Sequence, residues 1–165
     1  MRQLRAAKLL LLTDTPQSVI DPALQAAGIQ PDEVVVRAVR PDRMPEWLAL
    51  ADVGACFIKP VPSKRASHPT KIGEWLSCGV PVVMSRGIGD ADELIDTARV
   101  GVTVPFGDPA GYTAGAQNLL ELLQDPSLRA RCRAVATEQL GLDLGVRRYA
   151  AVYDRLTTGS RCSAC

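Results

Sequence analysis

The sequence has little of what nucleic-acid-binding and membrane proteins require. Its formal net charge is +1 over 165 residues, which gives no broad patch of one sign for a polyanion or a membrane surface. Aromatic residues make up 4%, too few for a surface on which single-stranded bases stack. No apolar run, Leu9–Leu12 included, approaches the ~20 residues of a membrane span, and the first residues lack a signal-peptide cleavage pattern. We therefore expect a cytoplasmic protein without nucleic acid as a partner and without a transmembrane segment.

Cysteine and histidine are too few and too irregularly placed for disulfide or metal frameworks. The five cysteines are an odd number without regular spacing, so a reducing compartment fits. Cys162 and Cys165 lie in a small polar tail, residues 159–165, which lacks the second ligand pair of a zinc site and which we expect to be disordered. His68 is the only histidine, with no carboxylate or cysteine at ligand spacing. We therefore expect no metal and no cofactor.

What remains has the composition of one globular α/β domain. Apolar residues make up 47% and charged residues 22% of the chain. Short apolar runs alternate with helical patterns, which predicts a doubly wound parallel sheet of about five strands with helices on both faces. A single domain is expected over residues 1–158, with the C-terminal helices packing at its end. The strands are expected at residues 8–12, 33–39, 53–59, 81–85 and 100–104.

The helices between these strands have recognisable start and stop signals. A first helix is expected within Thr13–Gly28 with Pro22 in its first turn. A second is expected over Met44–Ala51 with Asp42 as its cap. Asp90 and Glu93 have the spacing of a capping box. Three helices follow Pro109, with inward faces formed by Tyr112, Ala116, Leu119, Leu120 and Leu123 and by Leu128, Cys132, Val135 and Ala136, then a break over Gly141–Gly145 and a last helix over Val146–Leu156.

The most informative stretch runs from Pro60 to Glu93 and contains the start of a helix near Pro69. Proline suits the first helical position because the missing N–H costs nothing there. Helix N-termini attract anions through unpaired N–H groups and the helix dipole, and phosphate is a natural guest. Lys64, Arg65 and Lys71 surround this point in sequence. The pattern therefore predicts a phosphate site, to which the Thr70 hydroxyl contributes.

One acidic residue extends this prediction from phosphate to nucleotide. Glu74 lies about one helical turn beyond the start, where its carboxylate can accept two hydrogen bonds from ribose hydroxyls. The alternative interpretation of Glu74 is a solvent-facing helix residue. The alternative interpretation of the three basic residues is a solvated charged loop. Gly87 and Gly89 follow the fourth strand and indicate a turn with positive φ, which also allows close approach of backbone to a ligand. His68 either caps the helix, contacts phosphate or lies on the surface, and Trp75 is expected in the core.

The segment S-H-P-T-K-I-G-E-W-L-S-C-G-V-P-V-V, residues 67–83, resembles the S-P-T-K-x-G-E-Y-L-A-C-G-x-P-V segment of retaining glycosyltransferases with the GT-B fold. Further stretches resemble the same family in the same order, and the resemblance extends from about Lys8 to Leu156. These stretches are V-V-V-R-A-V, L-A-L-A-D-V-G-A-C-F-I-K-P, G-I-G-D-A-D-E-L-I and G-V-R-R-Y-A-A-V-Y. The resemblance implies a Rossmann-like domain that binds the nucleotide-sugar donor.

The resemblance also assigns roles to individual residues. Glu74 matches the glutamate that holds the donor ribose, and Thr70 and Lys71 match the helix-start residues beside the diphosphate. Many relatives carry a second glutamate near the transferred sugar, where this chain has Ala66. Some relatives without that acid carry K-K/R-A-S-S-P-T-K, which resembles Lys64–Lys71 and assigns Lys64 to the site together with Arg65. The resemblance implies that Gly87 and Gly89 approach the donor sugar and that Arg40 lines the base pocket through backbone groups; no catalytic residue is assigned.

The function implied by the resemblance is transfer of a sugar, with retained configuration, from a donor such as a UDP- or GDP-sugar in polysaccharide or glycoconjugate biosynthesis. In the family the acceptor binds an N-terminal half, so we expect this chain to need such a partner and to be inactive alone. A glycine-bearing strand-loop-helix unit normally precedes the segment that matches Lys8–Leu12. Without it either Lys8–Leu12 moves into the central place or the sheet keeps an open gap, and we expect self-association or marginal stability of the isolated chain. The alternative function is a non-catalytic nucleotide-binding or structural module that acts with a partner protein.

Overall fold

The computed structural model of this protein describes residues 7–159, and this part of the chain is an α/β structure with parallel strands. The predicted fold class is confirmed, and all five predicted strands form. Their hydrogen-bonded parts are shorter than expected, because the apolar runs continue past the paired residues. The elements are β1 (Leu9–Leu12), α1 (Gln17–Ala26), β2 (Val34–Arg37), α2 (Met44–Leu48), β3 (Gly54–Cys56), α3 (Thr70–Ser77), β4 (Val82–Ser85), α4 (Ala91–Ala98), β5 (Gly101–Val104), α5 (Pro109–Leu122), α6 (Leu128–Leu140) and α7 (Leu142–Gly159).

The strands form two sheets, and the chain divides between Ala51 and Asp52 into two compact units. A two-stranded sheet, β1–β2, belongs to the first unit, and a three-stranded sheet in the order β3–β4–β5 belongs to the second. One continuous sheet was expected, so the strand count is confirmed while the pairing differs. The single domain expected over residues 1–158 stays a prediction.

The first unit corrects two expected helix starts. Helix α1 begins at Gln17, directly after Pro16, so Pro22 is an interior residue of the second turn rather than a first-turn residue. Asp42 does not cap α2: its carboxylate accepts from the Arg40 guanidinium at 3.0 Å. The residue at the cap of α2 is Arg43, because a short 3₁₀ turn over Pro41–Arg43 precedes the helix.

The second unit has helices on both faces of its sheet. Gly54, Val82 and Gly101 are neighbours in register and therefore point to the same face. The Trp75 ring of α3 lies directly on Gly54, and Ile95 of α4 lies against Gly101. Helix α5 packs on the opposite face, where its Gly115 contacts the side chains of Val102 and Val104. The expected double winding is thus confirmed for this sheet.

The core of the second unit joins the sheet to α3, α4 and α6. Leu128, Cys132, Val135 and Ala136 are buried as predicted for α6, which packs against α3. In α5 the expected face is partly wrong, because Gly115, Leu119 and Leu122 are buried whereas Leu120 is exposed. Partial burial raises the pKa of the Cys56 and Cys78 thiols, which favours their protonated form.

The C-terminal part also differs from expectation. Helix α6 ends at Leu140, Gly141 is extended, and α7 begins at Leu142 and continues through Gly145. The break is therefore one residue rather than the whole stretch Gly141–Gly145. Gly159 is the last residue of α7, and the expected disordered tail and its cysteines otherwise lie outside the described residues. Between residues 7 and 159 no helix is long and apolar enough to cross a membrane.

The C-terminus of α4 has a left-handed residue that is not glycine. Arg99 has φ 51° and ψ 48°, and its carbonyl oxygen accepts two hydrogen bonds from the Arg131 guanidinium, at 3.1 and 3.0 Å. Arg131 also donates to Asp125 at 2.7 Å, and the hydrogen bonds of Ser127 and Arg131 lower the pKa of Asp125 to about 2. Arg131 therefore connects the α4 end to the start of α6 through the Arg99 backbone, without using the Arg99 side chain.

Replacing Arg99 with glycine should stabilise the protein. Glycine adopts the left-handed conformation without the β-carbon clash, so Arg99→Gly is expected to raise the free energy of unfolding by about 1 kcal/mol in chemical denaturation. Arg99→Ala is the matched control because it removes the same side chain and keeps the β-carbon. Equal stability of the two variants would contradict this account of the helix end.

Candidate functional site

Two loops at the carboxyl ends of β3 and β4 meet at the start of α3. Gly89, with φ 57°, lies so close to Ser67 that a β-carbon would overlap the Ser67 carbonyl oxygen. Gly87, with φ 84°, faces Pro60, whose β-carbon would be 3.5 Å from a β-carbon on Gly87. Both glycines have the positive φ that the sequence predicted. In parallel sheets ligands bind at this edge, so the loop contact defines a candidate binding site.

A histidine–aspartate pair joins the same two loops. His68 Nδ1 and Asp90 Oδ1 lie 2.8 Å apart, and about one third of the His68 side chain is exposed. The hydrogen bond from His68 lowers the pKa of the Asp90 carboxyl below its ordinary value. With the carboxylate as acceptor, Nδ1 carries the proton and Nε2 has no proton in the neutral ring.

This pairing corrects the capping box expected from Asp90 and Glu93. Asp90 does occupy the N-cap position of α4, but its side chain makes no capping hydrogen bond. Instead Asp92 Oδ2 accepts from the backbone N–H of Gly87 at 2.8 Å and holds the glycine loop. The capping box does not form, and the Asp90 carboxylate is instead hydrogen-bonded to His68 in the other loop.

Helix α3 is fixed in place by its buried face. Ile72 and Leu76 are fully buried, and Trp75 covers Gly54, so Trp75 is a packing residue as expected. Pro69 is the N-cap rather than the first helical residue, with extended backbone and no side-chain cap. His68 does not cap the helix either.

The start of α3 presents unused hydrogen-bond donors. The Ile72 N–H donates to the Pro69 carbonyl at 3.1 Å. Within residues 7–159 the backbone N–H groups of Thr70 and Lys71 donate no hydrogen bond. Both residues are exposed, so these donors are accessible to an anion from solution.

The charged residues predicted for the site are exposed and unpaired in the described part of the chain. Lys64 and Arg65 follow one another at the end of a 3₁₀ turn over Pro62–Lys64, and Ser67 Oγ donates to the Lys64 carbonyl at 2.9 Å. Lys71 and Glu74 are exposed on α3. In that part none of these four forms a salt bridge. Exposed charges without partners are free to bind a ligand.

The remaining predicted residue, Arg40, belongs to the first unit. It lies beside a cavity of about 440 Å³ after the ends of β1 and β2, which Leu12, Thr13 and Met44 also line. The Arg40 guanidinium is paired with Asp42, which leaves its backbone as the part expected to contact a base. A second cavity, of about 500 Å³, lies between α1 and β2 and holds none of the predicted residues.

Some residues near the site were not found from the sequence. Arg86 follows β4 and donates to Thr103 Oγ1 at 3.1 and 3.3 Å, and this hydroxyl in turn donates to Asp96 at 2.9 Å. Phe57 follows β3 and forms an edge-to-face pair with Tyr112, with ring centroids 5.8 Å apart. The only available signal was position, since Arg86 follows the predicted fourth strand and Phe57 lies near the carboxyl end of the predicted third strand. Among the described residues no group of three potential metal ligands occurs.

Substitution of Gly89 should disrupt the site through a backbone collision. Gly89→Ala would force the glycine loop away from Ser67, so we expect destabilisation of about 2 kcal/mol or more, including the cost of the left-handed backbone. Gly107→Ala is the matched control, because Gly107 has φ 75° and open space around its β-carbon position. Chemical denaturation of both variants measures the difference. Equal losses would show that backbone strain alone, without the loop contact, explains the need for glycine at position 89.

Three solved structures share this fold, each at low sequence identity. Sucrose-phosphate synthase from Thermosynechococcus elongatus matches with a TM-score of 0.69 and 17% identity over 92% of this chain. AviGT4, a glycosyltransferase involved in avilamycin A biosynthesis, matches with a TM-score of 0.66 and 24% identity over 92% of this chain. WaaG, a glycosyltransferase involved in lipopolysaccharide biosynthesis, matches with a TM-score of 0.61 and 20% identity over 90%. The aligned parts cover 39%, 42% and 39% of those chains, so this chain spans about two fifths of their length.

A family model gives the assignment that these fold matches alone do not. Comparison with curated proteins gives no match. The model of the family described as glycosyl transferases group 1 matches residues 1–125, most of the chain and all of the site described above. The sequence resemblance to GT-B glycosyltransferases is thereby confirmed, and the chain belongs to the glycosyl transferases of group 1.

Proposed function

We propose that this chain binds the nucleotide-diphosphate sugar donor of a glycosyltransferase. The observation that carries the proposal is the start of α3, where the free N–H groups of Thr70 and Lys71 adjoin basic side chains without partners. A diphosphate satisfies the backbone donors and balances the charge of Lys71 and its basic neighbours Lys64 and Arg65. The His68 ring, held by Asp90, adds a further polar group beside the same helix start.

The ribose of the proposed donor is assigned to Glu74. Glu74 is exposed and has no ion pair among the described residues, so its carboxylate is available to the two ribose hydroxyls. Its place one turn after the phosphate donors matches the order of phosphate and ribose in a nucleotide. The donor sugar is proposed to lie beside the exposed glycine loop that contains Gly87 and Gly89.

The proposed reaction is sugar transfer with retention at the anomeric carbon. As the bond from sugar to diphosphate breaks, negative charge grows on the leaving phosphate oxygen. Helix N–H groups, Lys64, Arg65 and Lys71 would stabilise this charge and lower the barrier. This role needs no general base on the donor side. UDP and GDP sugars are the proposed donors, and the acceptor would bind to protein beyond this chain.

Because this chain spans about two fifths of its solved neighbours, we propose that it works with a second, acceptor-binding half. The chain alone is then expected to bind donor without transferring sugar. Donor binding that is never followed by transfer, even with such a half supplied, would instead favour a non-catalytic nucleotide-binding module.

Removal of the Glu74 carboxylate should weaken nucleoside diphosphate binding. Glu74→Ala leaves the ribose hydroxyls without their acceptor, and we expect a loss of ~1–3 kcal/mol in binding free energy by isothermal titration calorimetry with UDP and GDP. Glu138→Ala changes another exposed helical glutamate, on α6, and should leave the affinity unchanged. If Glu74→Ala binds UDP and GDP as tightly as the wild type does, Glu74 does not contact the ligand.

Substitution of Lys71 should affect the affinity for a nucleoside diphosphate but not the affinity for the nucleoside. Lys71→Ala is expected to weaken binding of a nucleoside diphosphate by about 1–2 kcal/mol and to leave binding of the nucleoside unchanged, because only the diphosphate carries the charge that Lys71 neutralises. Raising the salt concentration should reduce the difference in nucleoside diphosphate affinity between the wild type and Lys71→Ala. A loss of equal size for both ligands would show that Lys71 does not contact phosphate.

A further inference from the structure

His68 is held by an aspartate that is not used at its own helix end. Asp90 occupies the N-cap of α4, where an aspartate normally accepts a hydrogen bond from the first helical turn, yet its side chain makes no such bond. It accepts from His68 Nδ1 instead, at 2.8 Å. This hydrogen bond fixes the imidazole ring at the junction of the two loops, where Gly89 contacts Ser67.

The second ring nitrogen of His68, Nε2, is the one whose proton varies. Because Nδ1 donates to the Asp90 carboxylate, Nε2 is bare in the neutral ring and gains a proton when the ring becomes charged. Among residues 7–159 Nε2 has no hydrogen-bond partner, and 33% of the His68 side chain is exposed. The ring can therefore take up a proton from solvent and offer it to a ligand at Nε2.

Protonation of His68 removes the net charge of the pair that it forms with Asp90. The hydrogen bond from His68 lowers the pKa of the Asp90 carboxyl, so this acid is ionised throughout the pH range in which histidines titrate. With a neutral ring the pair therefore has one uncompensated negative charge. With a charged ring the pair has no net charge and has a free N–H donor at Nε2. An anion at the start of α3, two residues along the chain, is favoured by the second state.

The other charged residues on the elements that meet at His68 make no hydrogen bond to its ring within residues 7–159. The basic residues on these elements are Lys59, Lys64, Arg65, Lys71 and Arg86. The acidic residues, apart from Asp90, are Glu74, Asp92 and Glu93. Asp92 accepts from the Gly87 N–H, and Arg86 donates to Thr103. His68 is the only histidine of the chain, and histidine is the side chain whose charge ordinarily changes near neutral pH.

We propose that His68 is a phosphate-binding residue of the donor site and that it acts as an imidazolium with Asp90 as its counter-ion. The inference rests on the donor site proposed at the start of α3 and adds the protonation state in which the donor binds. Nε2–H donates a charge-assisted hydrogen bond to a phosphate oxygen. Donor binding and ring protonation are then linked, and each favours the other by the same factor. The affinity for the donor should therefore rise as the pH falls.

Calorimetry of the full chain with UDP-glucose and GDP-mannose, between about pH 5.5 and pH 8, tests this linkage. Neither phosphate of a nucleotide sugar has a second ionisable hydroxyl, so the charge of the diphosphate is constant in this range. We expect about tenfold tighter binding at the lower pH. His68→Asn is the matched variant, because its amide N–H can replace Nδ1 as the donor to Asp90 while Nε2 is removed. This variant should bind as the wild type does at the higher pH and gain no affinity at the lower pH.

Nitrogen NMR of the imidazole ring reports its protonation directly, and in the untagged chain His68 gives the only histidine signal. The neutral ring should carry its proton on Nδ1. Addition of UDP-glucose at about pH 6.5 should increase the protonated fraction of the ring. Asp90→Asn keeps an acceptor oxygen for Nδ1 but loses the charge, so it should decrease this fraction at the same pH.

Three results would overturn the inference and leave the donor site in place. They are donor binding that does not depend on pH, a gain of affinity at low pH that His68→Asn retains, and a ring that stays neutral when donor is bound. A neutral ring with its proton on Nε2 would also contradict the inference, because Nδ1 could not then donate to Asp90. Failure of both nucleotide sugars to bind at any pH would contradict the proposed donor site itself, and this inference with it.

Discussion

The candidate site depends on how α3 is anchored in the core of the second unit. Ile72 and Leu76 are fully buried, and the Trp75 ring rests on the bare backbone of Gly54. A side chain at position 54 would push this ring away, so a glycine in β3 determines how closely α3 approaches the sheet. Three side chains on one face thus fix the direction in which the start of α3 points. The free N–H groups of Thr70 and Lys71 therefore have a defined direction.

The second constraint is the contact between the loop before α3 and the glycine loop before α4. Gly89 allows the backbones to touch at Ser67, and the hydrogen bond between His68 and Asp90 connects the loops through their side chains. Asp92 holds the glycine loop from within by accepting the Gly87 N–H. Acidic side chains thus order the two loops, and exposed basic side chains stand beside them without ion pairs in the described part of the chain.

What the sequence could predict was mostly local in the chain. The five strands, the inward face of α6 and the positive φ of Gly87 and Gly89 follow from apolar patterns and glycine placement, and the structure has them. The capping box failed because Asp90 bonds a residue 22 positions away. The sheet divided because strand pairing depends on which strands are neighbours in space, and an apolar run does not specify its neighbour. Features set by one stretch of chain were therefore predictable, whereas the contact between the loops before α3 and α4 was not.

Helices α3 and α7 differ in whether their apolar residues are buried. In α3 the apolar face is covered within the same unit, so the helix is rigid enough to present donors to a ligand. In α7 the apolar residues from Val146 onward face solvent. Burial of apolar surface thus fixes α3 within its unit, whereas the described apolar side chains of α7 from Val146 onward gain little from packing inside the described chain.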